Sequence, residues 1–357
     1  MPADRGGRRA HVLLVVALFL AAACGGTAAP LAAAPTPSAT PPPPVVFPRD
    51  AGPHDVLTEW WYYTGHLRTA DGAQRYGFEF TIFQVRRAGE RAGYLAHFAV
   101  SDLSRQRFSH QAHVMSIAPR SAFPLDVQGW RLDTDTRTDT IRAQMDPGPG
   151  VVAPYGVDLS LTSTKPPALH HGGYIDYGEA GGSYYYSRTR LAVSGEVRDP
   201  ERGPTAVSGI AWMDHQWGNF ITTSSGGWDW YSLQLDDETE YMLYVLRGAA
   251  GAPTPVYGSR VLADGTTEDL PPGAVTAEAV GKWTSPHTGA TYPSGWRVRI
   301  ADRGVSLTLR PQLLDQELYF PGSDSGLVYW EGSVEIADDA SGRDVGVGYV
   351  ELTGYAR

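Results

Sequence analysis

Two clusters of carboxylate, histidine and tryptophan decide what chemistry this chain could do. The denser one, Trp212-Met213-Asp214-His215-Gln216-Trp217-Gly218, is followed after a Ser/Gly loop by Trp228-Asp229-Trp230-Tyr231, and holds four of the ten tryptophans. Aromatics in that number wall off an apolar space. An aspartate or histidine among them loses hydration, which raises a carboxyl pKa and lowers an imidazole pKa. A carboxyl raised in this way is a usable general acid near neutral pH. The competing assignment ties Asp214 and His215 to loop amides and to each other, with the tryptophans as core.

The second cluster, His54-Asp55-Val56-Leu57-Thr58-Glu59-Trp60-Trp61-Tyr62-Tyr63, sets one carboxylate before four consecutive aromatics. On a strand these point to both faces, so some must meet a ligand or a second layer. A third runs from His170-His171-Gly172-Gly173 to Tyr184-Tyr185-Tyr186-Ser187. Adjacent histidines on an irregular loop are poor joint chelators, and there is no His-Glu-x-x-His, paired cysteine or carboxylate-rich calcium loop, so no metal is expected. Gly322-Ser323-Asp324-Ser325-Gly326 lacks the spacing of a nucleophile elbow, and nucleotide-binding glycine loops are missing. No cofactor is implied.

The elements that must position these residues are strands. Tyr76, Phe78, Phe80 and Ile82 alternate with Gly77, Glu79, Thr81 and Phe83, which is strand spacing with mostly one buried face. Tyr94 to Val100, Tyr241 to Leu246 and Val305 to Leu309 repeat it, with turn signals such as Asp71-Gly72 and Asp264-Gly265 between. With 41 glycines and 27 prolines in 357 residues, an all-β sandwich or barrel follows. A weak repeat divides it. Trp61-Tyr62-Tyr63 and Trp230-Tyr231-Ser232 each open a strand, an acidic turn, an apolar strand and an arginine. The cut falls near Ser225, giving domains 49–225 and 226–357.

The first residues lie outside the fold. Arg5, Arg8 and Arg9 precede an apolar run, Val12 to Ala23, that suits an export signal over residues 1–23. Small residues lead into Cys24, the only cysteine, which reads as a lipidation site, and residues 24–48 form a Pro/Ala-rich tether. Losing residues 1–23, with three Arg and one Asp, takes the net charge from -10 to -12. So acidic a chain, with two lysines, is expected to bind no nucleic acid and to touch membrane by its lipid anchor only. Oligomeric state is not specified by the sequence.

Glu59-Trp60-Trp61-Tyr62-Tyr63-Thr64-Gly65, Tyr184-Tyr185-Tyr186-Ser187, Trp212 to Gly218, Trp228-Asp229-Trp230, Tyr329-Trp330-Glu331-Gly332 and Gly348 to Tyr355 together resemble the lipocalin-like family of bacterial carotenoid 1,2-hydratases (hydroxyneurosporene synthase-like) and of secreted proteins described as predicted hydrolases. The resemblance implies two lipocalin-like antiparallel β-barrels packed side by side. It also implies an acid in the strand after the Asp-His-x-Trp segment. Here that strand, Glu240 to Leu246, has no carboxylate after its first residue. The reading therefore favours an exported lipoprotein, in the bacterial cell envelope, that binds an apolar lipid or isoprenoid ligand. Its ligand-binding residues would be Trp60, Trp61, Tyr62, Tyr185, Trp212, Trp217, Trp228 and Trp230. The alternative is a cofactor-free hydratase or hydrolase, a carotenoid 1,2-hydratase-like hydro-lyase protonating an isoprenoid double bond. Asp214, Asp229 or Glu59 would be its acid, Trp217, Trp228 and Trp60 its cation-stabilising faces, and His215 would hold the water.

Overall fold

A computed structural model of the chain describes residues 42–86, 92–115, 122–135, 137–177, 181–220, 226–248, 256–320 and 327–356. The proposed signal, Cys24, most of the tether and Ser225 lie outside these residues. Among those described, the only helical segments are two three-residue 3-10 turns, Arg49–Ala51 and Ala301–Arg303. No helix among them is long and apolar enough to cross a membrane.

The first half supplies β1 (Thr58–Arg68), β2 (Arg75–Val85), β3 (Gly93–Asp102), β4 (Arg107–Met115), β5 (Leu125–Val127), β6 (Trp130–Thr134), β7 (Thr138–Gln144), β8 (Gly156–Ser163), β9 (Ala168–Asp176), β10 (Gly182–Asp199) and β11 (Gly203–Gly218). They form one antiparallel sheet in the order β4-β3-β2-β1-β11-β10-β8-β7-β6-β5, with β9 also on β10. The last strand, β11, returns to pair with β1 along its whole length. The sheet's ends approach each other: the Gln128 side chain donates to the Val114 carbonyl at 2.5 Å, and His113 to the Val127 carbonyl at 3.3 Å. The sheet is thus nearly closed into a barrel.

The second half supplies β12 (Trp228–Leu235), β13 (Glu240–Leu246), β14 (Val256–Val261), β15 (Thr267–Asp269), β16 (Val275–Ala279), β17 (Lys282–Thr284), β18 (Thr291–Pro293), β19 (Trp296–Ile300), β20 (Val305–Pro311), β21 (Glu317–Leu318), β22 (Tyr329–Asp338) and β23 (Asp344–Thr353). Its sheet runs β15-β14-β13-β12-β23-β22-β20-β19-β16 and curls into a half-barrel, while β17 and β18 form a separate hairpin. The repeated Trp-Tyr hairpins of the sequence are β1–β2 and β12–β13. Each opens its sheet, and in each the final strand comes back to the first.

Alternation along each strand sorts the side chains. Trp61, Tyr63, Tyr76, Phe78, Phe80, Met213 and Trp217 fill the first barrel, and Tyr231, Leu233, Leu243, Trp296 and Trp330 fill the second. Each aromatic of this size removed from water stabilises the fold by about 1.5–3 kcal/mol. The outward face of β1, β2, β10 and β11 is not solvated, contrary to the one-face burial expected for β2. It packs on β12, β13, β22 and β23, so Tyr62, Tyr185, Trp212, Trp230, Met242, Tyr244 and Tyr349 form a layer between the two sheets. Close pairing of β1 with β11 depends on Gly209, where a Cβ would overlap the His66 carbonyl oxygen.

Candidate active site

Three residues that the sequence spreads over 161 positions meet inside the first barrel. His54 lies in the loop before β1, Glu59 is the second residue of β1, and His215 stands on β11 opposite Trp61. Glu59 and His215 are fully buried. The Glu59 Oε1 atom receives His54 Nδ1 at 2.7 Å and His215 Nε2 at 2.8 Å. Its Oε2 atom accepts the His54 backbone N–H at 2.8 Å and the Gln84 amide at 2.9 Å. Four donors on one carboxylate fix it as the acceptor of both imidazole protons. The rings are held by stacking: His54 lies parallel to Trp217 with centroids 4.3 Å apart, and Trp61 stacks on His215 at 4.8 Å.

The far nitrogens of both rings are committed as well. With Nε2–H given to Glu59, neutral His215 presents Nδ1 as an acceptor, and the Tyr186 hydroxyl stands 3.2 Å from it. His54 Nε2 lies 3.4 Å from Asp50 Oδ1, and its side chain is 19% exposed. Burial pushes the His215 imidazole below its ordinary range, with Glu59 opposing. Burial likewise raises the Tyr186 phenol, with Arg188 opposing. A hydrogen-bonded line therefore runs Tyr186–His215–Glu59–His54 and emerges near Asp50.

At its inner end this line meets a cavity of about 10 Å³, room for about one water, walled by Phe47, Trp61, Tyr63, Tyr186, Arg188 and Met213. A bulge in β10 builds that wall. Arg188 faces Met213 and Leu191 faces Ala211, so β10 carries one extra residue and both Arg188 and Leu191 turn inward. Arg188 pairs with buried Asp139, which also accepts the Tyr63 hydroxyl at 2.9 Å.

His54, Glu59 and His215 also form a group whose ligand atoms lie within 4.8 Å of one another. Two imidazoles and a carboxylate are zinc-type donors. Both nitrogens, however, already lie at hydrogen-bond distance from one carboxylate oxygen, and a metal would have to part them.

The other sequence candidates stand elsewhere. Asp214 and His215 are neighbours on a strand and point to opposite faces, so they do not bond each other. Asp214 lies in the layer between the sheets, accepting Tyr185 at 2.5 Å, Trp212 Nε1 at 2.6 Å and the Ser187 hydroxyl. Burial raises it to about 6 against those bonds. Trp60, Tyr62, Tyr185, Trp212, Trp228 and Trp230 share this layer; the Tyr62 hydroxyl donates to Glu331 at 2.8 Å and Trp228 Nε1 to Glu351 at 2.8 Å. Asp229 faces into the second barrel with Arg247 and Tyr355, and is raised by burial to about 6. Of the candidates, Glu59, His215, Trp61 and Trp217 come together. His54, Tyr186 and Arg188 were missed as functional groups. The signal for Tyr186 was its run of three tyrosines, whose middle member must face the other way.

Residues 38–355 match the family model described as AttH-like. Among solved structures, the AttH-type protein NE1406 of Nitrosomonas europaea is 30% identical, over 88% of this chain and 98% of that one, with a TM-score of 0.78. Kievitone hydratase from Nectria haematococca is 18% identical over 87% of this chain and 93% of its own, with a TM-score of 0.67, a likeness of fold. No curated protein matches the chain by sequence.

Proposed function

This chain is a member of the AttH-like family, the lipocalin-like group its motifs resemble, and from that premise we propose that it is a cofactor-free hydro-lyase. It adds water across a carbon–carbon double bond of a small, largely apolar substrate. The observation that carries this is the line Tyr186–His215–Glu59–His54, which joins a water-sized cavity to the partly exposed His54 imidazole. A water in the cavity gives a proton to the Tyr186 oxygen as Tyr186 passes its own to His215 Nδ1. The hydroxide so formed bonds to one alkene carbon, and the π electron pair moves to the other carbon, where a conjugated electron-withdrawing group holds it until that carbon is protonated. The imidazolium, steadied by Glu59, returns the proton through Tyr186 to the other carbon, so one water is added and the protein ends unchanged.

This relay takes Glu59 and His215 from the sequence candidates. Protonation of an isoprenoid by Asp214, with His215 holding the water, would need both on one wall, and they stand on opposite faces of β11. We further place the protein at the bacterial envelope, exported and lipidated at Cys24. The aromatic layer between the sheets supports a second reading, a carrier that holds a lipid or isoprenoid unchanged.

The test is incubation of the purified protein with a panel of conjugated and isoprenoid alkenes in heavy-oxygen water, followed by mass spectrometry. The proposal expects a product heavier than its alkene by one labelled water, absent with Tyr186→Phe. A retained alkene that is never converted would establish the carrier instead.

A further inference from the structure

Arg188 carries more donors than the fold uses. It is 3% exposed, and among the described residues the carboxylate it pairs with is Asp139. Its Nε and Nη1 groups have no hydrogen-bond partner, although both are buried. An unsatisfied buried donor on a cation is costly, and a fold that tolerates two of them at one residue has a use for them. Arg188 also stands between two spaces. It lines the small cavity beside Tyr186 and an open pocket of about 290 Å³ whose rim carries Arg137, Lys165 and the hydroxyl-bearing Ser163 and Thr164. The cations around that mouth each have carboxylate neighbours: Asp135 lies near Arg137 and Arg188, and Asp264 near Lys165. Lys165 and Arg190 share the single carboxylate Glu240, Arg188 is balanced by Asp139, and Arg137 is exposed. Of these cations, Arg188 alone keeps buried donors beside the pocket without a partner among the described residues.

We propose that this pocket is a carboxylate site and that the ligand is an unsaturated acid whose carboxylate oxygen accepts from Arg188. The inference rests on the hydro-lyase reading and narrows its substrate class. A cation at this point disfavours a carbocation and stabilises negative charge. When hydroxide adds to the carbon β to the carboxylate, the electron pair of the double bond moves toward that group, beside Arg188. The proton returned through Tyr186 then goes to the α carbon.

Equilibrium binding of trans-cinnamate and of uncharged cinnamyl alcohol to the whole protein, read by tryptophan fluorescence, tests this. Cinnamate should bind at least about tenfold more tightly than the alcohol, and the Arg188→Gln/Asp139→Asn double variant, which leaves no unpaired charge, should remove that preference. Should the double variant not fold, Arg137→Gln decides the matter: cinnamate affinity should fall several-fold and lose part of its salt dependence. Equal affinities for the two probes, absence of cinnamate binding, or a preference unchanged in the variants would overturn the proposal. Tyr186→Phe should bind cinnamate like the parent protein. Binding that holds in both while no water is added would leave the carboxylate site standing and remove the hydro-lyase reading alone.

Discussion

Tyr186, His215 and Glu59 form a unit in which each group fixes the state of the next. Tyr186→Phe removes the hydroxyl that reaches the cavity and keeps the ring against Phe47. Turnover should fall by about 10²–10⁴ with the melting temperature little changed, as calorimetry would show. The pH profile carries a sign. The base must be the neutral imidazole, and burial lowers the His215 pKa from its ordinary 6.5, so the acid limb of activity should lie below pH 6.5. Glu59 opposes that lowering. Glu59→Gln should therefore move the limb further to acid while reducing the rate, and a limb that moves toward neutral pH would contradict the assignment. Because both imidazole nitrogens nearest Glu59 are already satisfied by its carboxylate, dialysis against a chelator should leave turnover unchanged.

Between the two sheets stand four carboxyls that the relay does not use, three of them buried and Glu351 half-buried. Burial raises Asp214 to about 6, Glu351 to about 7 and Glu79 to about 8, and holds Glu331 well above the usual range. They come from β11, β23, β2 and β22, and Tyr62, Tyr329 and Tyr349 stand among them. Each folded-state value exceeds that of the unfolded chain, so between the two the native state holds the extra proton. What these carboxyls contribute is lost as the pH climbs; buried histidines with lowered pKa values oppose that loss up to their ordinary 6.5, so above about pH 6.5 stability should fall toward pH 8, by about 1.4 kcal/mol per pH unit for each carboxyl within its window. Glu79→Gln should flatten the upper part of that slope in denaturant titrations; a slope unchanged by the substitution would remove Glu79 from the account. The same layer explains what could be read in the sequence. Alternation in Tyr76 to Ile82 revealed strands, and the Trp-Tyr repeat revealed paired hairpins. Alternation does not say what covers the second face, so Glu79 read as a solvent residue and is buried under β22 and β23. Nor does adjacency reveal a site: Asp214 and His215 are one peptide apart and serve different faces, while His54 and His215 meet only because β1 pairs with β11.

For the whole molecule, the two sheets act as one body joined through Tyr62–Glu331, Trp230–Tyr185, His97–Tyr329 and Lys165–Glu240. Outside it lies the segment read as an export signal ending at Cys24. Mass spectrometry of protein from its host should show a mature chain beginning at a diacylated Cys24, and Cys24→Ser should move it from the membrane to the soluble fraction; a chain cleaved elsewhere with a free thiol would refute the anchor. The central claim, that the chemistry belongs to the interior of the first barrel and not to the layer between the sheets, is tested most directly by comparing two neighbouring substitutions. Water addition should be measured side by side in His215→Asn and Asp214→Asn, both confirmed as folded. The account predicts that His215→Asn abolishes turnover and that Asp214→Asn keeps most of it while losing stability. Loss of turnover in Asp214→Asn with activity retained in His215→Asn would contradict it.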